Sequence, residues 1–364
     1  MSVLYENVFS LTWQQVVMWL IGGLLIYLAI KKKMEPTLLL PMGFGTLLVN
    51  LPESGAKAVI DHLFAIGIDG NELMPLILFI GIGAMIDFEP LLVNPKLMLF
   101  GAAAQFGIFF TLCLATLFGF SLHDAASVAI IGAADGPTSI FVANTLQSEY
   151  TAAIMVAAYS YMALVPMVQP PIIRLCTTRK ERLIRMDYHS KKVSKTTKIL
   201  FPILVTIIVG LAAPEAVALI GFLMFGNLIR ECGVLDSLSE TAQKVLANLV
   251  TIFLGITISA RMTAEEFLRT ETLLILGLGL IAFVFDTFGG IMLAKFMNLF
   301  LKKKINPMIG AAGISAFPMA ARVVQQLGYE EDKQNFLIMH AAGVNVSGQI
   351  ASVVAGGLIL ALVR

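Results

Sequence analysis

Charge is the first thing this sequence lacks. Of its 364 residues, 25 are Lys or Arg and 24 are Asp or Glu, together 13%, about half the ~25% of an ordinary soluble domain. The signs nearly balance, and no Lys/Arg stripe runs through aromatic residues, which excludes a nucleic-acid partner. Cysteine is scarcer still. Cys113, Cys176 and Cys232 stand far apart and form no C-x-x-C, which leaves no disulfide framework and no thiolate metal site. His62, His123, His189 and His340 have no ligand spacing either. Nor does any G-x-x-x-x-G-K segment occur, so nucleotide hydrolysis is not the energy source.

Hydrophobic residues fill the space. They make up 58% of the chain, and the mean hydropathy is +0.86. Long apolar runs of this kind mark an all-α polytopic membrane protein, because a helix satisfies its own backbone in lipid. The runs cover 16–30, 36–50, 73–93, 97–120, 124–147, 151–176, 199–213, 215–230, 245–262, 272–298, 306–327 and 334–363. Several are shorter than the ~20 residues of a perpendicular span. The first follows no basic n-region and precedes no small-residue cleavage site, so segment 1–33 is expected to remain as a transmembrane helix.

Three basic clusters, Lys31 to Lys33, Arg174 to Lys198 and Lys302 to Lys304, are expected on the cytoplasmic side. Five apolar runs separate the first cluster from the second, whereas two points on one side need an even number of crossings. One run must enter and leave by the same face or split, and 124–147, interrupted at its middle, is the natural one. Met42-Gly43-Phe44 precedes Ile220-Gly221-Phe222, and Gly132-Ala133-Ala134 precedes Gly310-Ala311-Ala312, by the same 178 residues; Gln169 precedes Gln349 by 180. The crossing count sets the paired stretches on opposite sides. The expected fold is therefore transporter-like, with inverted repeats and two broken or re-entrant segments. In this reading 34–176 is the first repeat, 177–198 a basic cytoplasmic loop, and 199–364 a linking helix with the second repeat.

The interruption carries an acid. Asp135 stands among Gly132, Gly136, Pro137, Thr138 and Ser139, and an ionisable residue at membrane depth is costly enough to signal function. Broken helices turn positive N-termini and free carbonyls toward a midplane site. With one carboxylate, oxygens from Thr138, Ser139, Asn306, Ser315, Asn345 and Ser347 suit a monovalent cation, sodium or a proton, better than a divalent one. Plainer roles stand beside these: Asp124 as an N-cap, Asn306 before Pro307 as a helix start, Gly310 and Ser315 as close-packing residues, and Arg322 paired with Glu330 or Glu331. Asp286, inside Phe283-Val284-Phe285-Asp286-Thr287, is a second intramembrane acid.

Gly132-Ala133-Ala134-Asp135-Gly136-Pro137-Thr138, Tyr159 to Pro166 with Gln169-Pro170-Pro171, Gly226 to Gly233 and Asn345-Val346-Ser347-Gly348-Gln349-Ile350 occur in this order. Together they resemble the β subunit of the sodium-pumping biotin-dependent decarboxylases, which serve oxaloacetate, methylmalonyl-CoA, glutaconyl-CoA or malonate. The resemblance implies a subunit that takes carboxybiotin from a carrier on another chain, releases carbon dioxide, consumes a proton and exports sodium. It implies Asp135, Tyr161 and Arg322 as catalytic, Arg322 and Ser315 as contacts for carboxybiotin, and Asp135, Asn306, Gly310 and Ser315 as sodium-site residues, beside which Asn345 is a further expected ligand. Tyr159 is a neighbour that could replace Tyr161. Implied partners are a carboxyltransferase subunit, the biotin carrier, a small membrane-anchoring subunit and further copies of this chain. No Met-Lys-Met acceptor is present, so the biotin sits elsewhere. The residues alone leave open a stand-alone sodium/proton antiporter or organic-anion carrier, and a plain membrane anchor.

Overall fold

The computed structural model describes residues 10–69, 72–187 and 192–363. His189, residues 1–9 of the first segment and 188–191 of the basic loop lie outside them. The described residues form helices and no strand. The longer helices are α1 (Trp13–Lys31), α2 (Pro36–Val49), α3 (Gly55–Gly67), α4 (Leu73–Met85), α5 (Met98–Ala103), α6 (Phe106–Leu117), α7 (Leu122–Ala129), α8 (Gly136–Thr145), α9 (Thr151–Cys176), α10 (Lys195–Ala212), α11 (Val217–Glu231), α12 (Ala247–Ile258), α13 (Thr270–Phe300), α14 (Met319–Glu331) and α15 (Ile338–Val363). Among the described residues, 7 stretches are long and apolar enough to cross a membrane, with shorter apolar helices at Pro36–Val49, Leu73–Met85 and Leu122–Ala133. This is an all-α polytopic membrane protein.

Two of the interrupted segments are hairpins. In the first, α7 runs into a 3-10 turn, Ile130–Ala133, and α8 returns from it. Asp124 ties the two outer ends, accepting hydrogen bonds from Ser148 Oγ at 2.7 Å and the Glu149 N–H at 3.2 Å. The run therefore enters and leaves by one face, as the crossing count requires. Asp124 is not the N-cap expected of it: Ser121 is the N-cap of α7, and its hydroxyl accepts the Asp124 N–H while donating to the Asp124 carboxylate. In the second hairpin the 3-10 turn Pro307–Gly313 leads in and α14 leads out. Asn306 Nδ2 at its start donates to the carbonyls of Arg182 and Ile184, and Glu331 at its end pairs with Arg182 at 2.7 Å. Both ends of this hairpin lie at the face of the basic clusters, where Lys303 pairs with Asp187, Lys198 with Glu89 and Arg174 with Glu330. Arg322 does not take Glu330 or Glu331, which are held by Arg174, Arg179 and Arg182. The first hairpin opens on the far face, where Asp69, Glu72, Asn144, Arg261 and Glu271 line a cavity of about 970 Å³.

The hairpins meet tip to tip. Ser315 donates its N–H and its hydroxyl to the Ala133 carbonyl, at 3.1 and 2.7 Å. Around them α13 packs along α6 and against both 3-10 turns, with α9 lying along α13 and α15 along α5. Away from the hairpins, α4 packs on α11 and α2 on α12, with α1 outside α2 and α10 outside α11. Two asparagines close these crossings in the same manner. Asn50 Nδ2, just past α2, donates to the Met262 carbonyl beyond α12 at 2.7 Å, and Asn227 Nδ2 on α11 donates to the Ile86 carbonyl beyond α4 at 3.0 Å. A buried carbonyl left open at a helix end would cost about 1–3 kcal/mol.

Candidate functional site

Asp135 sits at the tip of the first hairpin because the chain there must reverse. Ala134 takes a left-handed conformation, φ 52°, which costs a non-glycine residue about 1–3 kcal/mol and clusters at functional sites. Pro137 in the first turn of α8 needs no N–H partner, and Asp135 becomes the N-cap. Its Oδ2 accepts from Thr138 Oγ1 at 2.8 Å and from Ser352 Oγ on α15 at 2.9 Å, while Oδ1 lies 3.4 Å from the Thr138 N–H. The carboxylate is buried, 3% exposed, and faces the partial positive charge of the α8 N-terminus.

The second tip is gripped by three amides. Gln169 Nε2 on α9 donates to the Ala311 carbonyl at 2.7 Å, Asn345 Nδ2 on α15 to Ile314 at 2.7 Å, and Gln349 Nε2 on α15 to Ser315. Each amide leaves its own carbonyl oxygen buried without a partner. All three amides hold the tip whose Ser315 meets the Ala133 carbonyl, two residues before Asp135; neutral oxygens and a carboxylate are ligands that a hard monovalent cation takes. Among the described residues no group of three His, Cys, Asp or Glu side chains stands ready for a multivalent metal.

Of the residues singled out in the sequence, Asp135, Ser315 and Asn345 come together at the meeting tips. Gly310 lies behind them, where it crosses Gly290 of α13 backbone to backbone; a Cβ on Gly310 would stand 2.1 Å from the Gly290 carbonyl oxygen. Asn306 is elsewhere. It caps the 3-10 turn with its Oδ1 on the Met308 N–H and spends its amide on the 182–184 backbone, at the basic end of the hairpin. Arg322 is exposed on α14; its charge partly offsets the burial that raises the carboxyl of Glu35, in the α1–α2 loop, above the ordinary range. Tyr161 hydrogen-bonds the Leu276 carbonyl of α13, whereas Tyr159 lies against the Asp135 turn: a Cβ on Gly136 would stand 2.5 Å from its ring, and its hydroxyl is buried without a partner.

Residues 14–363 match the family described as the Na+-transporting oxaloacetate decarboxylase beta subunit. The chain belongs to this family. It is 49% identical to the methylmalonyl-CoA decarboxylase subunit beta of Propionigenium modestum, over 97% of this chain and 96% of the relative. It is 48% identical to the subunit of the same name from Veillonella parvula over 99% and 96%, and 45% identical to the oxaloacetate decarboxylase beta chain of Haemophilus ducreyi over 97% and 96%. This β subunit is thus a membrane component of a sodium-transporting decarboxylase complex.

Sequence reasoning missed three residues at the site of this β subunit. Ser352, Gln169 and Gln349 are isolated polar residues in apolar helices, a pattern that usually means interhelical hydrogen bonding. The available signals for the two glutamines were their 180-residue spacing and their place in the motifs that carry the family resemblance.

Proposed function

We propose that this β subunit decarboxylates carboxybiotin presented by a partner carrier, consumes a proton in doing so, and exports sodium by alternating access. The observation that carries the proposal is the buried carboxylate of Asp135, at the contact of two hairpins that open on opposite faces. Asp135 binds sodium with the free amide oxygens of Asn345, Gln349 and Gln169, and a proton replaces the ion once the site turns outward. Ser315 couples the hairpins, so that the second tip follows the first. Asn306 and Gly310 serve the ion indirectly, by holding the second hairpin at its entry and at its crossing with α13. Arg322, exposed on the hairpin that opens on the basic face, meets the carboxylate of carboxybiotin, for which its fixed planar charge is suited. A groove of about 540 Å³ between Pro166, Pro170, Arg174, Val323 and Leu327 gives a biotin ring an approach between α9 and α14. Tyr161 or its neighbour Tyr159 supplies the proton that biotin takes as carbon dioxide leaves.

The reciprocal packing of α2 on α12 and α4 on α11, with its paired asparagine caps, supports inverted repeats over 34–176 and 199–364 joined by the loop at 177–198. Relatives named for two different acids are about equally similar, which supports a role in a step common to both. The test uses the complex with its partner subunits in proteoliposomes. Asp135→Asn should abolish sodium uptake and carboxybiotin-dependent carbon dioxide release together. Sodium movement by the purified chain without carboxybiotin would refute the coupling and leave a secondary transporter. Cysteines at Thr138 and Ser315, in a chain freed of its own cysteines, should label from either face in a sodium-dependent way. Labelling from one face regardless of sodium would refute alternating access.

A further inference from the structure

Asp286 takes no part in the site above, yet it is fully buried near the middle of the longest helix, α13. Its Oδ1 accepts the Ile108 N–H at 3.2 Å, with the Gly107 N–H also turned to the carboxyl, so a side chain from α13 caps the N-terminus of α6 where the α5–α6 segment is interrupted. Its Oδ2 has no partner at all. That oxygen points at the first hairpin: a Cβ on Gly132 would stand 2.7 Å from it, and one on Gly107 2.8 Å from Oδ1. Gly132 is three residues before Asp135, so two buried carboxyls flank one hairpin arm.

The two environments differ in the ligand they admit. Around Asp135 the unused oxygens of Asn345, Gln349 and Gln169 can complete the shell of a metal ion. Asp286 Oδ2 faces the Gly132 backbone, where the space a Cβ would take is closed by this oxygen and the Ala282 side chain. A metal ion needs several oxygens about it, whereas a proton needs only the one. Ionised, the carboxyl would hold a full charge at membrane depth with all its donors on a single oxygen, and half of its lone pairs unmet. No charged side chain relieves it. The 130–133 turn, α5, α6 and the 307–313 turn carry none; Glu271 and Lys295 lie at the two ends of α13, Arg174 at the basic end of α9, and His123 with Asp124 in the far-face half of α7. Asp135, beyond the left-handed turn, is itself acidic, and the remaining titratable neighbours, Tyr159 and Tyr161 on α9 and Cys113 on α6, can carry no positive charge.

We propose that Asp286 is a second protonation site of this subunit, in which a neutral carboxyl seals α13 against the first hairpin. The proposal stands apart from the carboxybiotin reading, since it concerns which ligand the pocket holds and not what the enzyme turns over. Infrared difference spectroscopy in H2O and D2O on the intact complex tests it. With aspartate carbon-13 labelled, the protonated-carboxyl band should lose the area of one group in Asp286→Asn, a variant that keeps an oxygen for the Gly107 and Ile108 N–H groups. A spectrum of that variant superimposable on the wild type would overturn the proposal. A second measurement needs no change at Asp286: in the labelled Asp135→Asn complex, the band should persist across the pH range in which the wild-type enzyme turns over. Bleaching of that band within the ordinary carboxylate range would instead make Asp286 an ionised cap of α6.

Discussion

Adding a methyl group to Gly310 tests how rigidly the second hairpin is seated. Its Cβ would lie 2.1 Å from the Gly290 oxygen, 2.4 Å from the Gly290 carbonyl carbon and 2.9 Å from the Ile291 nitrogen, and reaching ordinary contact means opening this crossing to about 3.4 Å. Every atom it meets is backbone, so no rotamer can give way. Overpacking of a rigid site costs about 1–3 kcal/mol, and the upper end is expected here. The strain is released by moving the hairpin tip, which breaks the 2.7 Å contact of Ser315 with the Ala133 carbonyl. Gly310→Ala should therefore lower the thermal unfolding temperature of the purified subunit and remove most of the sodium-dependent turnover of the complex. Gly277→Ala on the same α13 is the control, because its Cβ would meet nothing within 4 Å, and it should be neutral or stabilising by about 0.5–1 kcal/mol. Equal behaviour of the two variants would refute the seating argument.

Three further outcomes follow from groups outside the ion site. Burial lifts the Glu72 carboxyl, at the far-face end of α4, from an ordinary 4.5 to about 7, against the opposing hydrogen bond from Asn144. A raised acid stabilises the fold below its unfolded value, and that stability fades as pH rises toward 7. The wild type should lose up to about 3 kcal/mol between about pH 4.5 and 7 that Glu72→Gln does not lose; parallel pH curves in chemical unfolding would contradict this. Asp124→Ala leaves Ser148 and the Glu149 N–H without an acceptor, and should cost about 1–3 kcal/mol with faster hydrogen exchange at both outer ends of the first hairpin; exchange unchanged at 121–125 and 146–150 would remove Asp124 as the tie. Asn50→Ala and Asn227→Ala should destabilise by similar amounts, about 1–3 kcal/mol each; a loss confined to one of them would break the equivalence of the two crossings.

Much of the fold was legible because lipid restricts what a sequence can mean. The apolar runs gave the helices, and an odd count between two basic clusters pointed to the hairpin at 124–147. The second hairpin was legible only as a broken segment, since the count on that side was already even and made no demand. At the site, Asp135 announced itself by its cost, and Ser315 and Asn345 join it at the meeting tips. Asn306 and Arg322 do not reach those tips, because membrane depth is set by position along a hairpin arm, which composition does not encode. The contrast of Tyr159 with Tyr161 was similarly hidden: two residues along a helix turn a side chain by most of half a circle, and only packing against Gly136 decides which phenol faces the acid. The glutamines showed a repeat spacing but not a role, for a different reason. An amide in an apolar helix looks the same whether one or both of its ends are used.

The crossed asparagine caps constrain how such a chain can be made. Ile86 ends α4 with its carbonyl waiting for Asn227, and Asn50 waits in turn for Met262. As the polypeptide emerges from the ribosome, its earlier part must stay in the bilayer with the Ile86 carbonyl open for 141 further residues and the long-range bond of Asn50, whose amide meanwhile holds only the Thr46 carbonyl, unmade for 212. The two halves cannot mature in succession like beads on a string; they close on each other like the two sides of a clasp. Synthesis paused near residue 200 would leave a nascent product that is inserted but unlatched, and therefore in need of a membrane chaperone or exposed to quality-control proteolysis until the later helices arrive.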